Sequence, residues 1–377
     1  MTYPTFHHER DFLEKHTRLI ELSNAAGARV LVAPSYQARV MTTAIDGDDG
    51  SSFGWLNHPF ITSDKDDPKF NNYGGEDRFW LGPEAGQFGL WFRPGDQFTL
   101  KDFKTPAGLN SGSFAINGSS PTHVAMSRDF SVSNYSGARF DCHVDRAIKL
   151  LDQTETGAAL AVPIPTNLRW VGFKSTNRLT NAGSAVWDEA SGLICIWILG
   201  MFNPLPRGKV IAPFIADKPS NRGTDISDYF GGISPDRLIR KQKYALFTCD
   251  GQMRNKIGIS AKHARNVIGS WDADGHVLTI VIFNLPTSAA DLPYVNSLWQ
   301  IQEDPYSGDA VNSYNDGHDP LTGILLGSFY ELETSSCAAP LNPAESIVHV
   351  HQTFHFTGDY DELDVLSRRV LGAELWK

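Results

Sequence analysis

The stretch GGEDRFWLGPE, residues 74–84, begins with two glycines and ends close to a Gly-Pro pair, so we predict a turn at each end. The alternation typical of a strand would point Glu76, Arg78 and Trp80 to one face, and Phe79 and Leu81 to the other. A carboxylate, a guanidinium and an indole on one face suit a neutral ligand rich in hydroxyl groups. The alternative is a Glu–Arg pair on a solvated face beside a tryptophan at its edge.

Short apolar or alternating runs recur outward from this stretch, separated by Gly, Pro, Asn and Asp. Residues 28–34 and 37–44 are predicted to pair as a hairpin around Pro34-Ser35-Tyr36. Similar runs continue as far as residue 356. Many short strands separated by turn residues favour an all-β fold, a sandwich or a barrel of antiparallel sheets.

Helices are predicted only near the two ends of the chain. Asp11 followed by Glu14 fits a capping box, and the apolar residues that follow predict a helix over about residues 11–23. A second apolar stripe predicts a helix over about residues 360–376. Since there is no repeat, low-complexity tract or linker, we predict a single domain spanning residues 1–377.

The composition disfavours several classes of partner. The chain has 377 residues and a net charge of −10, and it contains no basic cluster of the kind that binds nucleic acid or an anionic membrane. It also lacks a run of about 18 apolar residues, so no membrane span is expected. Its polar N-terminus does not read as a signal peptide, so we expect a cytoplasmic protein as written, or a periplasmic one if a leader has been removed.

Two strand-rich segments contain candidate sugar-binding residues. Asn177 lies in the run Ser-Thr-Asn-Arg-Leu-Thr-Asn at residues 175–181, where its amide could bind hydroxyl groups or simply favour a turn. Trp197 lies in an apolar run at residues 193–201 and is either a stacking surface for a sugar ring or a core residue.

A long polar segment, residues 304–317, is dense in Asp, Asn and Tyr, and long irregular loops of this kind are often functional. Its candidate binding residues are Asp309, Asn312, Asn315 and Asp316. Their oxygens could bind calcium, but their spacing is not that of a calcium loop, so we favour hydrogen bonds to a sugar or within the protein. The four cysteines of the chain match no zinc pattern, and we predict no cofactor and no metal.

Two late strands carry titratable side chains on one face. In Phe-Tyr-Glu-Leu-Glu, alternation places Glu331 and Glu333 on the same face, about 7 Å apart. Because two nearby carboxylates repel, burial of this face would raise one pKa and produce a general acid or base. In the last strand, His349, His351 and His355 share a face, which is either a metal site or the polar side of a half-buried strand.

The order of these elements resembles the galactose mutarotase-like supersandwich. The motifs GGEDRFWLGPE, WILGMFNP, DPYSGDAVNSYNDG and YELETSS are more closely similar to a bacterial family of unknown function within that superfamily, over roughly residues 28–356. The resemblance implies a large concave antiparallel sheet that forms an open carbohydrate cleft.

The resemblance also implies roles for particular residues. In aldose epimerases a Glu on a late strand takes the proton of the anomeric hydroxyl and a central His protonates the ring oxygen. Glu333 best matches that Glu, and Glu331 is next. Residues 197–202, where the His is expected, contain none, so an epimerase mechanism would need a substitute acid such as His58 or His143, or it does not operate here. Arg78 would bind sugar oxygens.

The sequence therefore predicts a protein that binds a mono- or oligosaccharide in a concave sheet. One hypothesis is an enzyme, epimerase-like or glycoside-processing, that uses carboxylate acid–base chemistry. The alternative is a carbohydrate-binding protein without catalysis, which the missing histidine favours.

Overall fold

A computed structural model of the chain describes residues 3–216, 226–318, 323 and 325–377. The strands are β1 (Ile20–Ser23), β2 (Arg29–Ala33), β3 (Arg39–Ala44), β4 (Arg78–Gly82), β5 (Ala115–Ser120), β6 (His123–Ser133), β7 (Arg139–Leu150), β8 (Arg169–Asn181), β9 (Cys195–Phe202), β10 (Lys209–Pro213), β11 (Ser227–Asp228), β12 (Leu238–Arg240), β13 (Tyr244–Thr248), β14 (Asn255–Ser260), β15 (Val267–Asp272), β16 (Val277–Phe283), β17 (Asp309–Asn315), β18 (Tyr330–Ser335) and β19 (Ser346–Thr357). The helices are α1 (Phe6–Leu13), α2 (His58–Thr62), α3 (Ala107–Asn110), α4 (Gln153–Leu160) and α5 (Tyr360–Val370).

The strands form three sheets within the described residues. The first has three strands, β1-β2-β3. The second has ten, in the order β12-β13-β10-β15-β16-β19-β8-β7-β6-β5, and the third has six, in the order β11-β14-β17-β18-β9-β4. Neighbouring strands in these sheets pair antiparallel. The predicted all-β class is confirmed, and so is the early hairpin, which is β2 and β3.

Alternation along the strands builds the core between the two large sheets. Phe79 of β4 and Ile198 of β9 are buried in one apolar cluster with Val144 of β7 and Val171 of β8. The opposite side chains of β4 and β9 therefore face away from the ten-stranded sheet. This free face of the six-stranded sheet is where the candidate site lies.

The C-terminal helix α5 packs on the outer face of the ten-stranded sheet. Its Leu363 and Leu366 are buried in a cluster with Leu278 and Ile280 of β16. The helix begins at Tyr360 as predicted but ends at Val370, earlier than the predicted residue 376. The chain then turns through Gly372, whose φ of +68° is the left-handed conformation that often terminates helices.

The predicted N-terminal helix over residues 11–23 is wrong. Helix α1 is Phe6–Leu13, and Ile20–Ser23 form strand β1 instead. The Leu22 side chain fits the core because β1 pairs with β2, and this pairing overrides the helical spacing seen in the sequence. Among the described residues, no helix combines the length and apolarity needed to span a bilayer.

Candidate functional site

Strand register collects charged and aromatic side chains on the free face of the six-stranded sheet. Lys256 of β14 lies opposite Tyr314 of β17, which lies opposite Glu331 of β18. The neighbouring row contains Asn312, Glu333, Leu199 and Arg78, and the next contains Trp197 opposite Trp80. Since residues directly opposite one another in an antiparallel pair lie on the same face, these three rows form one surface.

A cleft of about 390 Å³ opens above this surface. Its floor is formed by the buried side chains of Arg78, Trp80, Trp197, Leu199, Lys256, Tyr314, Phe329 and Glu331. Its rim is formed by partly exposed side chains, which include Phe60, Phe70, Leu100, Phe103, Phe230, Trp299, Leu325 and Leu326. A concave, mostly aromatic wall with a few charged groups at its base is typical of small-molecule sites.

Arg78 and Glu331 are hydrogen-bonded on the cleft floor. Arg78 Nη2 donates to Glu331 Oε1 at 3.1 Å, and the guanidinium lies 3.7 Å from the centre of the Trp80 ring. Burial raises the pKa of Glu331 to about 8, with Arg78 lowering it and Glu333 raising it. Glu331 can therefore exchange a proton near neutral pH, as the sequence predicted for one member of the carboxylate pair.

Glu333 forms a second pair with Lys256 beneath the cleft floor. Its Oε2 accepts hydrogen bonds of 2.9 Å from Lys256 Nζ and from the Trp197 indole N–H. Glu333 is fully buried and does not line the cleft, whereas Lys256 does. Burial lowers the pKa of Lys256, but Glu333 and Glu84 outweigh this effect and hold that pKa above its usual value. The prediction that Glu333 faces the cleft is wrong, because its carboxylate compensates the buried ammonium group.

A second carboxyl group lines the cleft at Glu84, the last residue of the stretch 74–84. Its Oε2 accepts a hydrogen bond of 2.9 Å from the Trp299 indole N–H. Burial raises the pKa of Glu84, although Lys256 lowers it. Glu84 and Glu331 are therefore the carboxyl groups that lie beside the cations Arg78 and Lys256, while Asp67, Lys69 and Arg254 also line the cleft.

Glu76 does not share the cleft with Arg78 and Trp80, so that prediction is wrong. Its carboxylate accepts from the backbone N–H of Thr43 at 2.5 Å and lies 2.9 Å from His355 Nε2. The cause is local geometry. Gly74 and Gly75 have φ of +87° and +109°, so regular strand alternation begins only at Arg78.

Asn177 is also buried away from the cleft, contrary to prediction. It accepts a hydrogen bond from Arg146 and donates one to the His349 carbonyl at 3.2 Å. The amide oxygen accepts a hydrogen bond from a buried guanidinium between the sheets and is not available to a ligand in the cleft.

Neither His58 nor His143 lines the cleft, so neither is placed to replace the missing histidine. His58 Nε2 lies 2.6 Å from Glu9 Oε2, and its ring stacks on Phe12. His143 lies between Asp129 and Asp145 on the ten-stranded sheet, and the hydrogen bond to Asp129 raises its pKa. Both histidines are held by local carboxylates.

The four polar candidates of residues 304–317 also lie outside the cleft. Asp309 and Asn312 bond the Tyr229 hydroxyl in a small space beneath Lys256. Asn315 donates to the Met253 carbonyl at 2.8 Å. Asp316 accepts from the Tyr314 hydroxyl at 2.7 Å, and burial raises its pKa to about 6. Their hydrogen bonds stabilise the protein itself.

The described residues contain no group of three His, Cys, Asp or Glu side chains that could hold a metal ion. In the row of histidines on β19, His349 Nε2 and His351 Nδ1 each lie 2.8 Å from the Thr334 hydroxyl. His355 contacts Glu76 and Thr279. The row forms a buried polar layer between the large sheets.

Sequence reasoning did not identify Lys256, Arg254, Glu84 or the rim aromatics Phe230 and Trp299. One usable signal was present: the segment Arg254-Asn255-Lys256-Ile257 places two cations at alternating positions where strand β14 begins. Two cations on one face of a strand are costly unless carboxylates lie opposite, so the segment pointed to partners such as Glu331 and Glu333.

Comparison with solved structures confirms the predicted galactose mutarotase-like fold. A protein from Synechocystis sp. PCC 6803 has a TM-score of 0.53 at 10% identity, covering 91% of this chain and 96% of its own. A galactose mutarotase-like protein from Lactobacillus casei has a TM-score of 0.51 at 11% identity, covering 90% of this chain and 100% of its own. A candidate aldose 1-epimerase from Escherichia coli has a TM-score of 0.50 at 11% identity, covering 90% of this chain and 98% of its own. At such identities the likeness is one of fold.

Among curated proteins, none matches this sequence. A family model matches residues 4–377 of the chain. The chain belongs to that family, DUF6786, a family of unknown function.

Proposed function

We propose that the cleft binds a saccharide and that Glu331 transfers protons to and from it. The observation that carries this proposal is the position of Glu331, a carboxyl group with a pKa raised to about 8 on the floor of an aromatic cleft. The fold shared with a galactose mutarotase-like protein and a candidate aldose 1-epimerase supports a sugar as the ligand.

The floor offers both kinds of contact that a sugar ring needs. Trp80 and Trp197 line the floor and would contact its C–H groups through the parts of the rings that Arg78 and Lys256 do not cover. Arg78 and Lys256 provide charged N–H donors for its oxygens, and the hydrogen bond to Glu333 uses only one of the three ammonium protons of Lys256.

Glu331 is suited to chemistry at the anomeric carbon. In anomer interconversion an acid protonates the ring oxygen as its bond to that carbon breaks, and a base takes the proton of the anomeric hydroxyl group. In glycoside cleavage an acid protonates the departing glycosidic oxygen, and a water that loses a proton to a base adds to the anomeric carbon. Protonated Glu331 would supply the proton, and Arg78 at 3.1 Å would stabilise the carboxylate that remains. Glu84, the other carboxyl group beside Arg78 and Lys256, is the candidate base. This chemistry needs no metal or cofactor.

Replacement of Glu331 by Gln tests the catalytic role. Rotation of polarised light by freshly dissolved aldoses, and nitrophenolate release from 4-nitrophenyl glycosides, would measure the two reactions. We expect E331Q to lose roughly 10²–10⁴ in rate while it still binds sugar. The control is H143Q, which removes a histidine outside the cleft. Wild-type rates in E331Q would contradict the proposal.

A binding protein without catalysis is the second candidate. It is favoured because no histidine of the described residues lines the cleft and because Glu333, the residue that matches the epimerase Glu, is fully buried. Under this alternative, sugars raise the melting temperature, since they bind only the folded protein. The wild type would then turn over no substrate.

A further inference from the structure

The cleft changes in character between its floor and its rim. The floor carries Arg78, Lys256 and Glu331, which are 2%, 6% and 6% exposed. The rim carries leucines and aromatic rings together with Asp67, Lys69 and Arg254, and Leu325 and Leu326 are 46% and 36% exposed. A ligand that fills the cleft would therefore meet buried charged groups at the floor and a largely apolar wall with a few charged side chains at the rim.

Polar groups near the rim already make hydrogen bonds within the protein. The Trp299 indole N–H donates to Glu84, and Lys69 Nζ donates to the Lys101 carbonyl at 2.7 Å. Asp67 Oδ1 accepts from the backbone N–H of Lys69 at 2.7 Å. A second sugar unit could reach the remaining donors of Lys69 and the second oxygen of Asp67, but the leucines and aromatic rings that form most of the rim would leave its other hydroxyl groups without partners, which is unfavourable.

The rim aromatic rings hold one another in fixed orientations. Phe103 and Trp299 stack with an interplanar angle of 16° and centroids 5.6 Å apart. Phe230 stands at 90° to Trp299, and Arg254 lies 3.8 Å from the centre of the Phe230 ring. Because these rings are already ordered by one another, little side-chain freedom would be lost when a flat apolar group packs against them.

We propose that the ligand is a saccharide bearing a flat apolar substituent, such as an aryl group, with its sugar on the floor and its substituent against the rim. This inference rests on the proposed function for the sugar half. It adds the chemical class of the other half of the ligand, an apolar substituent that the rim would bind by apolar contact.

Pairs of glycosides that differ only in the substituent test the inference. Methyl and 4-nitrophenyl glycosides of glucose, galactose, mannose and xylose would be titrated into the wild type and E331Q by calorimetry, with 4-nitrophenol as a third ligand. For the sugar that binds, we expect the 4-nitrophenyl glycoside to bind about tenfold or more tightly than the methyl glycoside, from the apolar area buried at the rim. We also expect it to bind more tightly than 4-nitrophenol.

Equal affinities for the two glycosides would overturn the inference and leave the proposed function intact. If no glycoside binds, both fail. If 4-nitrophenol binds as tightly as its glycoside, the sugar half of the ligand is wrong.

A rim variant separates the rim from the floor. Because Leu325 and Leu326 are exposed, L325A/L326A should fold normally. We expect it to weaken the 4-nitrophenyl glycoside about tenfold and to leave the methyl glycoside unchanged. V365A removes a comparably exposed apolar side chain on α5 and should change neither affinity. Equal weakening of both glycosides, or of neither, would contradict a rim that binds the substituent.

Discussion

The cleft floor and the space between the large sheets hold similar charged groups, yet they differ in access. The charged and polar residues between the large sheets, here called the interior cluster, are Glu76, Asp77, Arg146, Asn177 and His355. Each of its members is at most 1% exposed, and Arg146 bonds Asp77, Asn177 and a backbone carbonyl. On the floor, Glu331 meets Arg78 but also faces an open cleft. Sealed charges therefore join elements of the fold, whereas charges beside a cavity are available to a ligand.

The largest effect is expected from breaking the interior cluster. R146M removes the guanidinium that pairs with Asp77 and leaves that carboxylate buried without its cation. We expect a loss of about 3–5 kcal/mol in the free energy of unfolding, measured by urea denaturation. The folded fraction should still bind sugar. A loss below about 1 kcal/mol would show that the sealed cluster contributes little to stability.

Acid should destabilise the interior between the sheets through two neutral histidines. Burial lowers the pKa of His349 to about 3 and that of His351 to about 4, from a usual value of 6.5. The unfolded chain therefore binds more protons, and stability falls as the pH drops below about 6.5, by at most about 1.4 kcal/mol per pH unit for each ring. NMR of the ring nitrogens should show no titration above pH 5. Titration of both rings near pH 6.5 would contradict this.

The cleft floor should respond to pH in the opposite direction. The folded pKa of Glu331, about 8, lies above the usual 4.5, so the folded protein retains a proton that the unfolded chain loses. Its contribution to stability is complete below pH 4.5 and is lost as the pH rises toward 8, by at most about 1.4 kcal/mol per pH unit. The unfolding free energy of the wild type minus that of E331Q should therefore fall over this range. A difference independent of pH would show that Glu331 is ionised throughout.

The smallest effect is expected at His143, which belongs to neither region. Its side chain is 36% exposed between two exposed carboxylates. H143Q should change the unfolding free energy by less than about 0.5 kcal/mol and should not alter sugar binding. A clear loss of binding would restore the original prediction that this histidine serves the site.

The parts of this picture that follow from local pattern could be predicted from the sequence. Alternation and turn residues gave the strands, the early hairpin and the common face of Arg78 and Trp80. The N-terminal helix failed because Ile20–Ser23 finds its partner in β2 and not along its own helix. The single domain and the cytoplasmic location stay predictions.

Access and long-range pairing could not be read from the chain. The alternation places Glu331 and Glu333 on one face of β18, as predicted. Lys256 covers Glu333 because β14 pairs with β17 and β17 pairs with β18, and this long-range pairing is not visible in the local sequence. These partners lie 77 residues apart in sequence. Glu76 is two residues before Arg78, so strand alternation alone would place its side chain on the cleft face. It precedes the regular strand, which begins at Arg78, and the alternation therefore does not apply to it.

A crystal structure of the wild type with the saccharide that most raises its melting temperature tests the central claim most directly. We expect a sugar ring beside Trp80 and Trp197, with an oxygen of its anomeric carbon within hydrogen-bonding distance of the Glu331 carboxyl group. A sugar bound elsewhere on the protein, or one in the cleft with Glu331 out of reach, would contradict it.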